Sequence, residues 1–331
     1  MDKLMLHAVA GSGKTTHILN DLNTEKRSAV ITYTVANKES LKKKIANIFS
    51  YPPENIHVFG LFEFLYGFCF RPLHINRTNS GICFDRPPYY FTGYFNDNNQ
   101  IYSNQLSKFI MREELNYLAR IDKYFDHIYI DEVQDLHSDD FDWLMTLSNL
   151  KIPVTLVGDF YQSTFATSRR GNKRATLFSS YTAYKRKFEN NGYHFDESTL
   201  NKSYRCSSDI SEFVTSNLGI DMDSHHLKKS EIKIIEKKEE IDNIMNDDDI
   251  KKLFYDKSST YLGNCDNWGN SKGQEFNDVC VILNPTTLKN FPDKLEDSAP
   301  TTLKKLYVAC TRSMNDLYFI NQKLVEKTFK K

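Results

Sequence analysis

The chain has 331 residues, long enough for two domains that each bury a core. Its 40% hydrophobic and 26% charged residues are an ordinary soluble composition, and no apolar run approaches the roughly 18 residues of a membrane span, so no membrane partner is expected. Lys+Arg and Asp+Glu balance at 43 each, which excludes a global positive field but leaves room for a local basic groove.

The first apolar run, Leu4 to Ala10, ends in Gly-Ser-Gly-Lys and reads as strand, loop, helix. With a functional loop so near the start, no signal peptide is expected. Ser28 to Thr34 reads as a second buried strand, followed by a basic helix with Leu41, Ile45 and Ile48 at helical spacing. The Lys42-Lys43-Lys44 run on it reads as a solvated face, ahead of the alternative that it flanks a DNA groove. Residues 61–106, rich in aromatics, Gly, Pro and Asn, read as a small insertion. A helix from Gln105 to Ile121 leads into the strand His127 to Ile130, and Val154 to Val157 is another strand, ending in Gly158-Asp159. In the second half, Val279 to Leu283 and Leu317 to Ile320 are the clearest strands, with a helix over Leu303 to Ala309. Asp247-Asp248-Asp249 reads as a solvated turn or a helix start. Strands alternating with helices predict an α/β fold with parallel sheets and ligands at the carboxyl edges. The six cysteines form no C-x-x-C pair, and neither Cys nor His clusters at metal-ligand spacing. They read as reduced thiols of a cytoplasmic protein.

Ala8-Val9-Ala10-Gly11-Ser12-Gly13-Lys14-Thr15 matches the phosphate-binding loop except at its first position, where Ala8 replaces Gly. Small residues let the backbone N–H groups of Ala10, Gly11, Ser12 and Gly13 curl around a phosphate. The helix opening at Lys14, Thr15 and Thr16 adds its positive end. Lys14 would reach the β- and γ-phosphates, and the Thr15 hydroxyl would ligate Mg²⁺. Asp131-Glu132 follows an apolar strand. Asp131 suits the Mg²⁺ shell, and Glu132 suits a base that orients and deprotonates an attacking water. Since Glu132 supplies the base, His7 beside the loop reads as structural.

These motifs, with others in order along nearly the whole chain, resemble the UvrD-like branch of superfamily 1 helicases. The matching segments are Ile31-Thr32-Tyr33-Thr34, Asp131-Glu132-Val133-Gln134-Asp135, Val157-Gly158-Asp159-Phe160-Tyr161-Gln162, Ser203-Tyr204-Arg205, Ser271-Lys272-Gly273-Gln274-Glu275-Phe276 and Leu306-Tyr307-Val308-Ala309-Cys310-Thr311-Arg312. The resemblance implies two tandem RecA-like domains, 1–195 and 196–331, binding ATP and Mg²⁺ and hydrolysing the nucleotide from both sides. It implies that Gln162 senses the γ-phosphate, that Tyr204 packs on adenine, and that Arg205 and Arg312 act as arginine fingers. Gly273 and Glu275 would approach the nucleotide and ribose. Tyr33 and Thr34 would lie along single-stranded DNA, and movement would be 3′ to 5′.

Several positions depart from the family pattern. Only ten residues precede Gly11, so no counterpart of the adenine-reading Gln upstream of the loop is expected among these residues. The DNA-contacting Thr-x-His is replaced by Leu61-Phe62-Glu63, whose acid repels phosphate. After Gln162, Phe165 is either a base-stacking platform or a core residue, and Arg169 and Arg170 are candidate phosphate contacts. Asn267-Trp268-Gly269 replaces another Thr-x-His, so Trp268 either stacks on a base or fills the core. No large helical accessory domain fits between Arg205 and Lys272. The first reading is therefore an ATP-dependent single-stranded DNA translocase or helicase. The second is an ATPase switch or loader with weak DNA contact, acting on a protein partner such as a nuclease, a reading favoured by the zero net charge and eroded DNA motifs. A metabolic P-loop kinase is disfavoured by Gln162, Arg205 and Arg312 in helicase order.

Overall fold

The computed structural model describes residues 2–74, 80–113, 115–164 and 176–331. By backbone contacts the chain forms two compact units. One gathers Met1–His7, Lys14–Gly158 and Ala166–Glu197; the other gathers Ala8–Gly13, Asp159–Phe165 and Ser198–Lys331.

The first unit is built on a six-stranded sheet. Its strands are β1 (Lys3–Ala8), β2 (Ser28–Thr32), β3 (Ile56–Gly60), β4 (His127–Ile130), β5 (Val154–Gly158) and β6 (His194–Leu200), in spatial order β3-β2-β4-β5-β1-β6. The pairs β2/β3, β2/β4, β4/β5 and β1/β5 are parallel. Every residue of β2, β4 and β5 is buried, as expected of strands covered on both faces. This order sets the carboxyl ends of β1, β5 and β4 side by side. Asp131 follows β4, at the carboxyl edge where parallel sheets place their ligands.

The expected helix over Gln105 to Ile121 is instead two helices, Ser103–Arg112 and Tyr117–Tyr124. The apolar spacing runs on through the break, but Asn116, at the cap of the second helix, favours helix ends over interiors. In the insertion, the short helix Leu61–Glu63 continues into a π-helical segment, Phe64–Phe70, that buries Phe64, Leu65, Cys69 and Phe70. The two-residue strands Ile82–Cys83 and Ile101–Tyr102 pair with each other. Aromatics of this region pack onto the sheet's own: Phe64 and Phe68 lie within 5.1–6.4 Å of Phe59, on β3, and Phe125, just before β4.

The second unit holds a five-stranded parallel sheet of β7 (Ile232–Ile235), β8 (Ile250–Phe254), β9 (Cys265–Asn267), β10 (Asp278–Leu283) and β11 (Leu317–Asn321), ordered β7-β11-β10-β8-β9. Alternation along β10 sorts its two faces. Val279 and Val281 join the cluster with Val214, Leu306 and Trp268, while Cys280 and Ile282 join Ile241, Met245 and Val325. Helices Ser208–Leu218 and Pro300–Cys310 supply the first layer, and Lys238–Asn246 and Gln322–Phe329 supply the second. Asp247-Asp248-Asp249 is an exposed turn after the third of these helices. All six cysteines are free thiols. Among the described residues no helix is long and apolar enough to cross a membrane.

Candidate nucleotide site

In the first unit, the helix Lys14–Asp21 starts directly after the loop, so its unsatisfied N–H groups belong to Lys14, Thr15 and Thr16. Lys14 and Thr15 are half-buried, and Thr16 is exposed. The Thr15 hydroxyl donates to Asp131 Oδ2 at 3.2 Å, and the Glu132 N–H donates to Asp131 Oδ1 at 2.9 Å. Burial, then repulsion from Glu132, pushes the Asp131 carboxyl up to about 6, against the pull of Lys14, that amide and Thr15. Glu132 sits in the left-handed backbone region at φ 57°, a conformation that costs a non-glycine residue roughly 1–2 kcal/mol. Its carboxylate accepts from the Gln134 side-chain amide. A hydroxyl and one carboxylate suit Mg²⁺, which takes few protein oxygens and fills its shell with water and phosphate. Among the described residues no group of three or more His, Cys, Asp or Glu side chains is arranged to hold a metal.

The second unit carries the loop backbone. Gly11 and Gly13 have φ of 72° and 82°. A Cβ at Gly11 would lie 2.7 Å from both Arg205 Cβ and Ser203 Oγ, so only glycine permits this approach. The loop is held by Val9 N–H donating to Leu200 O, Tyr204 N–H donating to Gly11 O, and the Ser12 hydroxyl donating to Val9 O. The Ala10 N–H donates to the Tyr307 hydroxyl. Arg205 donates to Glu275 Oε1 through Nε at 2.9 Å and Nη2 at 2.5 Å, and to Thr311 O at 3.2 Å. Arg312 is 1% exposed; its guanidinium donates to Val308 O, Gln274 O and Thr311 Oγ1. Burial, then the like charge of Arg205, brings it down to about 10. Tyr204 is 59% exposed, and its ring stacks on His225 at 3.8 Å. Gly273 has φ 81°.

Sequence order groups Gln162 with the first domain's residues. By contact its segment groups with the second unit instead. The reason is Asp159, whose Oδ2 accepts from Gln162 Nε2 at 2.8 Å and from the Tyr307 hydroxyl at 3.0 Å. Neither Asp159 nor Tyr307 had been given a role from the sequence. The signal was present in their burial-prone setting: an acid flush against a strand, and a tyrosine on the inward face of a helix.

The expected nucleic-acid contacts fare unevenly. Trp268 is corrected: it is fully buried, its indole N–H donates to Leu253 O at 2.8 Å, and no ring face is open to a base. It fills the core because it follows β9 onto the layer packed by Leu306 and Val281. Thr34 is exposed and caps the helix Val35–Phe49, accepting from the Asn37 N–H at 3.1 Å. Tyr33 is half-buried, with its ring 6.2 Å from Phe62. Glu63 accepts from Gly60 N–H and pairs with Lys38 at 2.6 Å, so the acid in place of the family's histidine is neutralised locally. His7 is buried, edge-on to Tyr181 at 4.9 Å, in keeping with a structural role. Phe165, Arg169 and Arg170 lie outside the described residues.

The sequence profile of the viral superfamily 1 RNA helicase core domain matches residues 103–321, more than half of the chain. That span includes Asp131, Glu132, Gln162, Arg205, Glu275 and Arg312, and starts after the phosphate loop. No curated protein matches the chain. Among solved structures it is similar to the helicase of PRRSV, with 12% identity and TM-score 0.51 over 98% of this chain and 54% of that one. It is also similar to an arterivirus nonstructural protein 10 (helicase) solved with DNA, with 14% identity and TM-score 0.53 over 97% of this chain and 60% of that one. A DNA-free structure of an arterivirus nonstructural protein 10 (helicase) gives 14% identity and TM-score 0.51, covering 98% and 62%. The chain thus spans between 54% and 62% of the length of these neighbours. At such identity the likeness bears on the fold, which is the parallel α/β fold of RecA-like helicase domains.

Proposed function

The chain belongs to the family of the viral superfamily 1 RNA helicase core domain, and from that premise we propose that it is an ATP-hydrolysing motor acting on single-stranded nucleic acid. The observation that supports this best is the Thr15–Asp131 hydrogen bond. It brings the phosphate-loop hydroxyl and the strand-end acid of β4 to one point, with Glu132 beside them. In this reading the loop N–H groups and Lys14 bind the phosphates. Thr15 and Asp131 hold Mg²⁺, which neutralises charge on the phosphate oxygens when bound. Glu132 takes the proton of the attacking water, and Gln162, Arg205 and Arg312 contact the transferring phosphate. In this reading Lys14, Thr15, Asp131, Glu132 and Gln162 belong to a RecA-like domain at 1–195, and Arg205 and Arg312 to a second at 196–331. The finer assignment, UvrD-like type moving 3′ to 5′ on single-stranded DNA, rests on the motif resemblance alone. The family description names RNA, so the test must carry both strands.

The burial of Trp268 favours a second reading. It removes one candidate nucleic-acid contact, as an ATPase switch acting on a protein partner such as a nuclease would allow. ATP hydrolysis by the purified chain, alone and with single-stranded DNA or RNA at low and moderate salt, separates the readings. Stimulation by either strand that weakens as salt rises supports the motor. Duplexes with 3′ or 5′ tails then read its direction. Hydrolysis indifferent to nucleic acid supports the switch, and absence of hydrolysis refutes both.

A further inference from the structure

Ala10, Tyr307, Asp159 and Gln162 form one buried chain of hydrogen bonds. The Tyr307 oxygen lies 2.7 Å from the Ala10 nitrogen and 3.0 Å from Asp159 Oδ2. A backbone N–H can only donate and an ionised carboxylate can only accept, so the phenol accepts from the loop and donates to Asp159. The same Oδ2 accepts from Gln162 Nε2 at 2.8 Å, and Oδ1 accepts from Tyr161 N–H at 3.0 Å. Tyr307 is fully buried, and burial beside Asp159 raises the phenol well above its usual range, so it keeps its proton. One turn earlier on the same helix, the Lys304 side-chain nitrogen lies 3.6 Å from the centre of the Phe160 ring. The helix Pro300–Cys310 therefore grips the Asp159–Gln162 segment at two points, and Arg312 follows two residues beyond its end, bonded back to Val308 O. Packing alone would be served by phenylalanine. The hydroxyl is what joins the phosphate loop to the glutamine.

We propose that Tyr307 is a positioning residue that sets the Gln162 side chain according to the state of the phosphate loop. A nucleotide that moves the Ala10 amide moves the hydroxyl, the Asp159 carboxylate and the Gln162 amide with it. The inference rests on the reading of this loop as an ATP site. It goes further in naming the path by which occupancy reaches Gln162.

The test compares wild type with Tyr307→Phe for ATP affinity, steady-state hydrolysis, melting temperature and amide hydrogen exchange over residues 159–164, with and without Mg²⁺-ATP. Expected is a kcat lowered about tenfold or more, the scale of a misplaced catalytic contact, with KM within about threefold. Nucleotide-induced protection of 159–164 should be lost while ATP still binds. Asp159→Ala, which removes the shared acceptor oxygen, reads the same tie from its other end and stands in if Tyr307→Phe does not fold. Wild-type kcat and wild-type protection in the folded variant would overturn the proposal. So would a uniform fall in affinity, rate and melting temperature, which a general packing fault produces. A wild-type protein that binds no ATP would refute the site reading itself, and the tie would lose its meaning with it.

Discussion

Gly11→Ala should damage this protein more than Gly273→Ala, at another glycine near the proposed site with a similar φ. The former position carries two separate costs. Its φ of 72° is left-handed, which charges alanine roughly 1–2 kcal/mol. The new Cβ would also stand 2.7 Å from Arg205 Cβ and Ser203 Oγ and 3.3 Å from Arg205 N, and two of these atoms are not the ends of flexible chains. Overpacking of that kind costs about 1–3 kcal/mol, so the total is about 2–5 kcal/mol. Gly273→Ala is the matched control: its φ is 81°, but nothing lies within 4 Å of the added Cβ, so only the first cost applies. Chemical denaturation of both variants isolates the steric part as their difference, expected at about 1–3 kcal/mol. ATP affinity should fall more in Gly11→Ala, because the loop must leave Arg205 to relieve the clash. Equal stability of the two variants would refute the close approach and the loop geometry built on it.

Lys14→Ala and Glu132→Gln should each abolish ATP hydrolysis, with Glu132→Gln still binding nucleotide; near wild-type turnover in either would overturn the site assignment. Trp268→Ala should cost about 3–5 kcal/mol by denaturant unfolding, and the folded fraction should bind nucleic acid as wild type does. His127, buried against Thr155 and stacked on Tyr129 at 4.0 Å, is brought down to about 4, chiefly by burial. The unfolded chain therefore takes up this proton at higher pH than the folded one. The stabilisation is full above about 6.5 and is lost as pH falls toward about 4, by about 3 kcal/mol at most. His127→Gln should flatten that part of the stability–pH curve; an unchanged slope between pH 7 and 4.5 would remove His127 as its source.

The backbone of the proposed nucleotide site was legible because such chemistry would constrain both residue type and spacing. A loop that wraps phosphate needs Gly11 and Gly13 at positive φ, and a strand-end acid needs a buried strand before it; both conditions leave marks in a single sequence. The weak strands β7, β8 and β9 left fewer. β7 reads Ile-Lys-Ile-Ile, and β8 carries Lys251 and Lys252. The second of these lysines is buried whole and donates to Asp247 O, an outcome no polarity pattern announces. Trp268 was ambiguous for a different reason. An aromatic after a short strand can face either way, and only the register of β9 against β8 turns it inward. The helix break at Asn116 was hidden because the apolar spacing is the same on both sides of it.

The pairing of Arg205 with Glu275 bears on how a proposed arginine finger can wait without a phosphate. Two N–H groups of Arg205 already share Glu275 Oε1, and a third donates to Thr311 O. A phosphate oxygen offers the same acceptor chemistry as the carboxylate, so exchange would replace one charge-assisted pair by another rather than create a bare cation. The Arg205 side chain is only 12% exposed, which makes an unpaired guanidinium costly and a standby partner necessary. Glu275, at 51% exposure, can be left in water once released, so the cost of the exchange falls on the more solvated partner. Among the described residues Arg312 makes its hydrogen bonds to two carbonyls and a hydroxyl, neutral acceptors, and Asp159 attracts it only from a distance. An arriving anion would therefore gain more from Arg312 than from Arg205. In the proposed site, then, Arg312 is the stronger electrostatic draw for the γ-phosphate, and Arg205 is the residue that must first let go of its neighbour.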